Sequence, residues 1–337
     1  MILENTYYGN QTMKRRCFIC LFALFLVGAL TPILANDVPL HANSVLRFAT
    51  TTEAQNVLST PDRFIFALSP FDRQSRIETD RDVSEEEFLQ FIKSHARDWH
   101  SDEIAKITRI ATKVRQKLMP FQLPFPPTVV LIQTSGREEG GAAYCRGNAV
   151  VLPHEKIGES EDQLERLLTH ELFHILSSHN PTWRQGLYKI VGFQSCSPIE
   201  LPESLKHRKL TNPDAPMLDA FITLDVEGET VFAVPILFSK TERFDVKQGG
   251  PFFRYLTFRL MVIEQVEGKW LAAVDNREAR MLQPSEIADF KRQIGTNTNY
   301  IIHPEEILAE NFVHVVQQTL SLPSPHIVDE LRRALSK

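Results

Sequence analysis

The sequence predicts an α+β fold: a small sheet, a long helix behind it, a β-rich insertion and C-terminal helices. Three observations predict it. Capping-box patterns followed by apolar stripes of helical period mark helices within 84–119 and 160–179. Short β-branched runs bounded by turn residues mark strands before the second of these helices, and again within 221–238 and 255–274. Segments that open on proline, "PEEILAENFVHVVQQTL" and "PHIVDELRRAL", close the chain as helices.

The chain has 337 residues, enough for one large domain or two modest ones, and 43% hydrophobic with 23% charged residues is the balance of a globular protein with a real core. Net charge is −5 and no basic stripe stands out beyond the N-terminus, so a nucleic-acid partner is not expected.

Residues 1–35 read as a secretory signal. Lys14, Arg15 and Arg16 precede the apolar run "CFICLFALFLVGAL", which passes into "TPILAND"; cleavage is expected after Ala35. The body is therefore expected outside the cytoplasm, periplasmic or secreted. The alternative is a retained anchor formed by residues 17–35, the one route to a membrane partner. Cys17 and Cys20 would leave with the leader. Cys145 and Cys196 would remain, and a lone pair in an exported chain is expected to form a disulfide.

Residues 36–83 read as an irregular N-terminal segment with one apolar run, "RFIFAL". Ser84 with Glu87 then caps a helix that continues, with a break near Ser101, to Met119 and the proline-rich stop "PFQLPFPP". "TVVLIQT" (128–134) is a buried strand, "SGREEGGAA" a flexible loop, and "YCRGNAVVLP" (144–153) a second strand interrupted by Gly147. Ser160 with Gln163 caps the helix of "SEDQLERLLTHELFHILSSH". The β-rich insertion, placed at about 205–280, divides the domain of 84–337; within it, 252–265 would also suit a helix. Asp214 in "LTNPDAP" reads as a turn former, and Trp183, Tyr188 and Phe193 as core.

The chemistry lies in "HELFH". Residues four apart share a helix face, so His170 and His174 can aim imidazole nitrogens at one zinc ion. Glu171 is rotated by about 100° from His170 and can take a proton from an attacking water without becoming a ligand. A catalytic zinc has three protein ligands as a rule. Ser177 and Asn180 stand where a metzincin would carry Gly and His, which excludes that class.

"YIIHPEEILAENF" (300–312) resembles the second motif of gluzincin metallopeptidases, in which a glutamate ligand is followed four residues later by an acidic residue. The resemblance implies a zincin-like fold, Glu306 as third ligand and Glu310 at the back of a ligating histidine. Glu200, Glu203, Glu305 and Glu310 are the alternative ligands. Tyr300 and His303, just ahead of this helix, are candidate donors to a developing oxyanion. "GNAVVLP" (147–153) is the candidate edge strand for pairing with a substrate backbone. The expected activity is zinc-dependent hydrolysis of a peptide or protein substrate, with Glu171 as general base. The alternatives are a binding or regulatory protein without turnover, which would have no need of Glu171, and an amidase acting on cell-wall material.

Overall fold

A computed structural model describes residues 37–276 and 278–336. The leader, with Lys14, Cys17, Cys20 and the cleavage point after Ala35, lies outside the described residues. No described helix is long and apolar enough to cross a membrane. The fold is mixed α+β.

The N-terminal segment is not irregular. It forms strands β1 (Asp37–His41) and β2 (Ser44–Phe48), then helices α1 (Thr51–Leu58), α2 (Arg63–Ala67) and α3 (Pro70–Ile77). Each helix has a side-chain cap: Thr50, Asp62 and Ser69 accept from backbone N–H groups of their first turns. "RFIFAL" is thus a short helix whose Phe64 and Ile65 are buried. Helix α4 (Glu85–Ser94) is capped by Ser84 as expected, but the Glu87 carboxylate pairs with Arg81 rather than closing the box. A two-residue strand, β3 (Ala96–Arg97), makes the break before α5 (Ser101–Leu118).

Strand β4 is Thr128–Thr134. The expected single strand at 144–153 is a hairpin, β5 (Tyr144–Arg146) and β6 (Ala149–Pro153). Gly147, at φ +57°, makes the turn where a side chain would be strained. Strand order is β1-β2-β4-β6-β5, with β3 beside the far end of β4. β4 lies parallel to β2 and β6, while β5 is an antiparallel edge. The candidate edge strand 147–153 is therefore mostly interior, and β5 is the edge. On β4, Val129 and Leu131 join the main core with helices behind the sheet; Val130 and Ile132 join a second core with α1, α2 and α4. Burial on both faces explains the unbroken apolar run.

A one-turn helix, α6 (His154–Ile157), leads to α7 (Glu161–His179), capped reciprocally by Ser160 and Gln163. Helix α8 is Pro181–Tyr188. The insertion sheet starts at β7 (Phe193–Ser195), earlier than expected. After the short α9 (Glu203–Lys206) it continues through β8 (Ala220–Val226), β9 (Glu229–Ser239), β10 (Leu256–Val266) and β11 (Lys269–Ala272). The small strands β12 (Val274–Asp275), β13 (Glu278–Ala279) and β14 (Met281–Leu282) follow. The order β11-β10-β9-β8-β7 is antiparallel throughout, so 256–265 is strand, not helix. Ile222, Ala233 and Val262 on one face enter the main core shared with α7. Helices α10 (Ala288–Ile294), α11 (Pro304–Gln317) and α12 (Pro325–Leu335) complete the chain, with Pro304 and Pro325 in first turns.

Cys145 and Cys196 are free thiols, and the expected bridge is not formed. Cys145 belongs to the main core, whereas Cys196 packs on the apolar cluster of the insertion sheet's other face.

Burial pushes the Glu138 carboxyl up to about 7, with Thr134 and Tyr144 opposing only in part. The folded state keeps this proton where the unfolded chain loses it, from the ordinary 4.5 upward. Its contribution therefore falls as pH rises from about 4.5 to about 7, by about 3 kcal/mol in all. Glu138→Gln should be more stable than the parent at pH 8 and not at pH 4.5. Urea midpoints at both pH values test this; an equal offset at both would remove the titration as the cause.

Candidate metal centre

Helix α7 is buried along most of its length, so the His170, Glu171 and His174 side chains stand in protein rather than solvent. Helix α11 packs on α7 and brings Glu306 to the two histidines. The Glu306 Oε2 atom lies 3.2 Å from His170 Nε2 and 3.5 Å from His174 Nε2. Two ligand atoms on a tetrahedral zinc, each about 2.05 Å from the ion, stand about 3.3 Å apart, so the spacing fits such an ion. Among the described residues the buried His174 Nε2 has no hydrogen-bond partner, as a metal-facing nitrogen would require.

The tautomers agree. His170 Nδ1 donates to Glu310 at 3.1 Å, and His174 Nδ1 donates to Glu305 at 3.2 Å. With one proton on each Nδ1 directed to these carboxylates, Nε2 is the nitrogen each ring turns toward Glu306 and the one available to a metal. Glu310 is itself held by Arg166. Glu305 also accepts from Ser177 at 2.7 Å and from the Tyr188 hydroxyl at 2.6 Å. Asn212 Nδ2 donates to the other Glu306 oxygen at 2.6 Å. The role of Glu305 was not legible as such: in "PEEILAE" it is the neighbour of Glu306, rotated onto the His174 side. Tyr188, read as core, contributes its hydroxyl. Asn212 and Asp214 come from the insertion and have no local signal.

The alternative ligands fall elsewhere. Glu200 is an exposed partner of Lys269, and Glu203 an exposed partner of Lys206. Glu305 and Glu310 face the backs of the two rings.

Charge is concentrated here. Burial lowers His170, but hydrogen bonds to Glu306 and Glu310 outweigh it and raise it to about 9. Burial raises Glu306, yet His174 and His170 hold it well below the usual carboxylate range. Burial pushes Glu171 up against the pull of both imidazoles. A divalent ion, if bound, would take the place of the imidazolium protons in this balance.

Glu171 is 3% exposed, and the Cys145 thiol donates to its Oε2 at 3.4 Å. The backbone N–H of Cys145 donates to Asp214 at 2.7 Å, and the Asp214 N–H donates to the Asn212 side chain. Asn212 thus makes the turn, while Asp214 faces the site. Cys145, Glu171 and Asp214 form a second close group of potential ligands beside the first.

Tyr300, His170, Glu171, Asp214 and Glu306 line one cavity of about 380 Å³. The Tyr300 ring is stacked near His170, with 6.2 Å between centroids. His303 is different: its Nδ1 caps α11 by accepting from Glu305 N–H. It lines a neighbouring cavity with His174 and Asp214 but not with Glu171. Among the two candidate oxyanion donors, only Tyr300 shares a cavity with Glu171.

No family model, curated protein or solved structure matches the chain.

Proposed function

We propose that this chain is a zinc-dependent, zincin-type peptidase that works outside the cytoplasm. The observation that carries the reading is the convergence of two Nε2 atoms on one Glu306 oxygen, with each Nδ1 held by its own carboxylate. His170, His174 and Glu306 would hold the zinc, which supplies a more acidic water and a polarised substrate carbonyl.

Glu171 takes the proton of the attacking water and passes it to the leaving amine. Its burial supports this role, because a carboxylate pushed up by desolvation is a stronger base than one in water. The Tyr300 hydroxyl is the donor available to charge developing on the substrate oxygen. The β5 edge is where a peptide backbone adds as a strand. Its outward N–H at Cys145 is held by the Asp214 carboxylate.

The protein purified from a zinc-supplied host should contain one zinc per chain and should cleave a mixed peptide library, with activity lost to a chelator and restored by zinc. Glu306→Ala should lose most of its zinc, whereas Glu200→Ala and Glu203→Ala should keep it. Mass spectrometry of metal content and cleavage products decides it. Full zinc in Glu306→Ala, or a zinc-loaded parent that cleaves nothing, would overturn the assignment.

A further inference from the structure

The cavity that His303 lines has a volume of about 450 Å³ and shares His174 and Asp214 with the metal centre. Three nitrogens of its lining residues are buried without a partner among the described residues: Arg146 Nη1, Arg184 Nε and His303 Nε2. His303 is 6% exposed and Arg146 3%. Because His303 Nδ1 accepts a backbone N–H, its ring proton is assigned to Nε2, which makes that atom a donor. Arg146 uses Nε on Asp62 at 2.5 Å and Nη2 on the Thr60 carbonyl at 3.0 Å, leaving Nη1. Arg184 touches Asp219 only loosely, at 3.8 Å through Nη2.

The wall also carries acids, but each has a cation or donor beside it. Asp62 holds Arg146, Asp219 faces Arg184, and Asp214 accepts from Cys145 N–H. Among the described residues, the unpartnered buried polar atoms on the residues that line this cavity, apart from His174 Nε2, are all donors. A buried donor left unpaired costs about 1–3 kcal/mol. A carboxylate offers two oxygens with several lone pairs and is matched by guanidinium groups in particular.

We propose that this cavity is a subsite for a substrate carboxylate, either the C-terminal carboxylate of a peptide or an Asp or Glu side chain near the scissile bond. The proposal rests on the peptidase reading for the location of that bond. Two connections place the carboxylate close to it. The cavity borders the ligand His174, and Arg146 directly follows Cys145, the residue whose N–H faces out from the β5 edge. Arg184, His303 and Arg146 come from α8, the α11 cap and β5, so the cavity is built only when these elements are packed together.

The test uses zinc-loaded Glu171→Gln protein, which holds peptides without cutting them, and three matched hexapeptides in a calorimeter. One has neutral side chains and a free C-terminus, the second is its C-terminal amide, and the third is the amide with one Glu. The free acid or the Glu peptide should bind at least about tenfold tighter than the neutral amide. Adding Arg184→Leu should remove most of that preference, and this half-exposed residue can be replaced with less risk to folding than Arg146. Preference for the free acid identifies the chain terminus as the source, and preference for the Glu amide identifies a side chain. Equal binding of all three peptides, no binding of any, or a preference untouched by Arg184→Leu overturns the subsite. Turnover of the same peptides by the zinc-loaded parent is measured in parallel. Turnover with equal binding sinks the subsite alone, whereas a parent that binds the acid selectively but cleaves nothing sinks the peptidase reading alone.

Discussion

Glu171→Gln should keep its zinc and lose roughly 10²–10⁴-fold in peptide turnover, the range expected for removal of a general base. The amide has the shape of the carboxyl group but cannot accept a proton at neutral pH. The ligand atoms are left in place, because Glu171 is not one of the three groups converging at His170, His174 and Glu306. The Cys145 thiol can still donate to the amide oxygen, so the local packing survives. Metal analysis and kcat on one cleaved peptide separate the roles. A variant that turns over at the parent rate would end the general-base assignment. A variant that loses zinc would mean that Glu171 serves the ion and not the water.

What was legible in the sequence was what local chemistry determines. Helix α7 announces itself through Ser160 with Gln163 and an apolar stripe, and β4 through a β-branched run. Glu306 was reached through a four-residue spacing that puts it and Glu310 on one face of α11. The N-terminal segment departs from the irregular reading because its signals are short. Pro39 lies within β1, which among the described residues is an edge strand paired with β2 alone and so tolerates the missing N–H. Thr50 with Glu53 and Ser69 with Asp72 cap helices of one or two turns, below the length at which an apolar period shows. Gly147 looked like an interruption and is a hairpin turn. The site residues of the insertion carry no local signal. Asn212 and Asp214 lie about 40 residues from α7 and about 90 from α11, and tertiary packing alone brings them to Glu306 and Cys145.

That packing has an identifiable anchor, and removing it should carry a large cost in stability. Arg76 on α3 is fully buried, with Nε and Nη2 on the two Glu139 oxygens at 2.8 and 2.6 Å and Nη1 on Asp72 at 2.7 Å. Its Nη2 also donates to the Thr211 carbonyl at 2.9 Å, while Asp72 accepts from the Thr211 backbone and hydroxyl. The guanidinium lies 4.5 Å over the Phe252 ring. Burial works against its charge, yet Glu139 and Asp72 raise it further above the ordinary arginine range. Arg76→Met would strand two carboxylates in the interior. Breaking a buried pair in this way costs about 3–5 kcal/mol, or roughly 10 °C in Tm for a domain of this size. The consequence reaches the site because Thr211 is followed by Asn212, whose side chain holds Glu306. Loss of the clamp should therefore also weaken zinc binding by about tenfold, as loss of a partner that orients a ligand does. Urea unfolding of the metal-free protein measures the first effect, and competition with a zinc indicator in the folded variant measures the second. Arg76→Lys, which keeps the charge but not the fork, should recover part of the stability and little of the zinc affinity. A destabilised Arg76→Met protein that binds zinc as tightly as the parent would show that Asn212 keeps its hold on Glu306 without the clamp, and would confine Arg76 to stability.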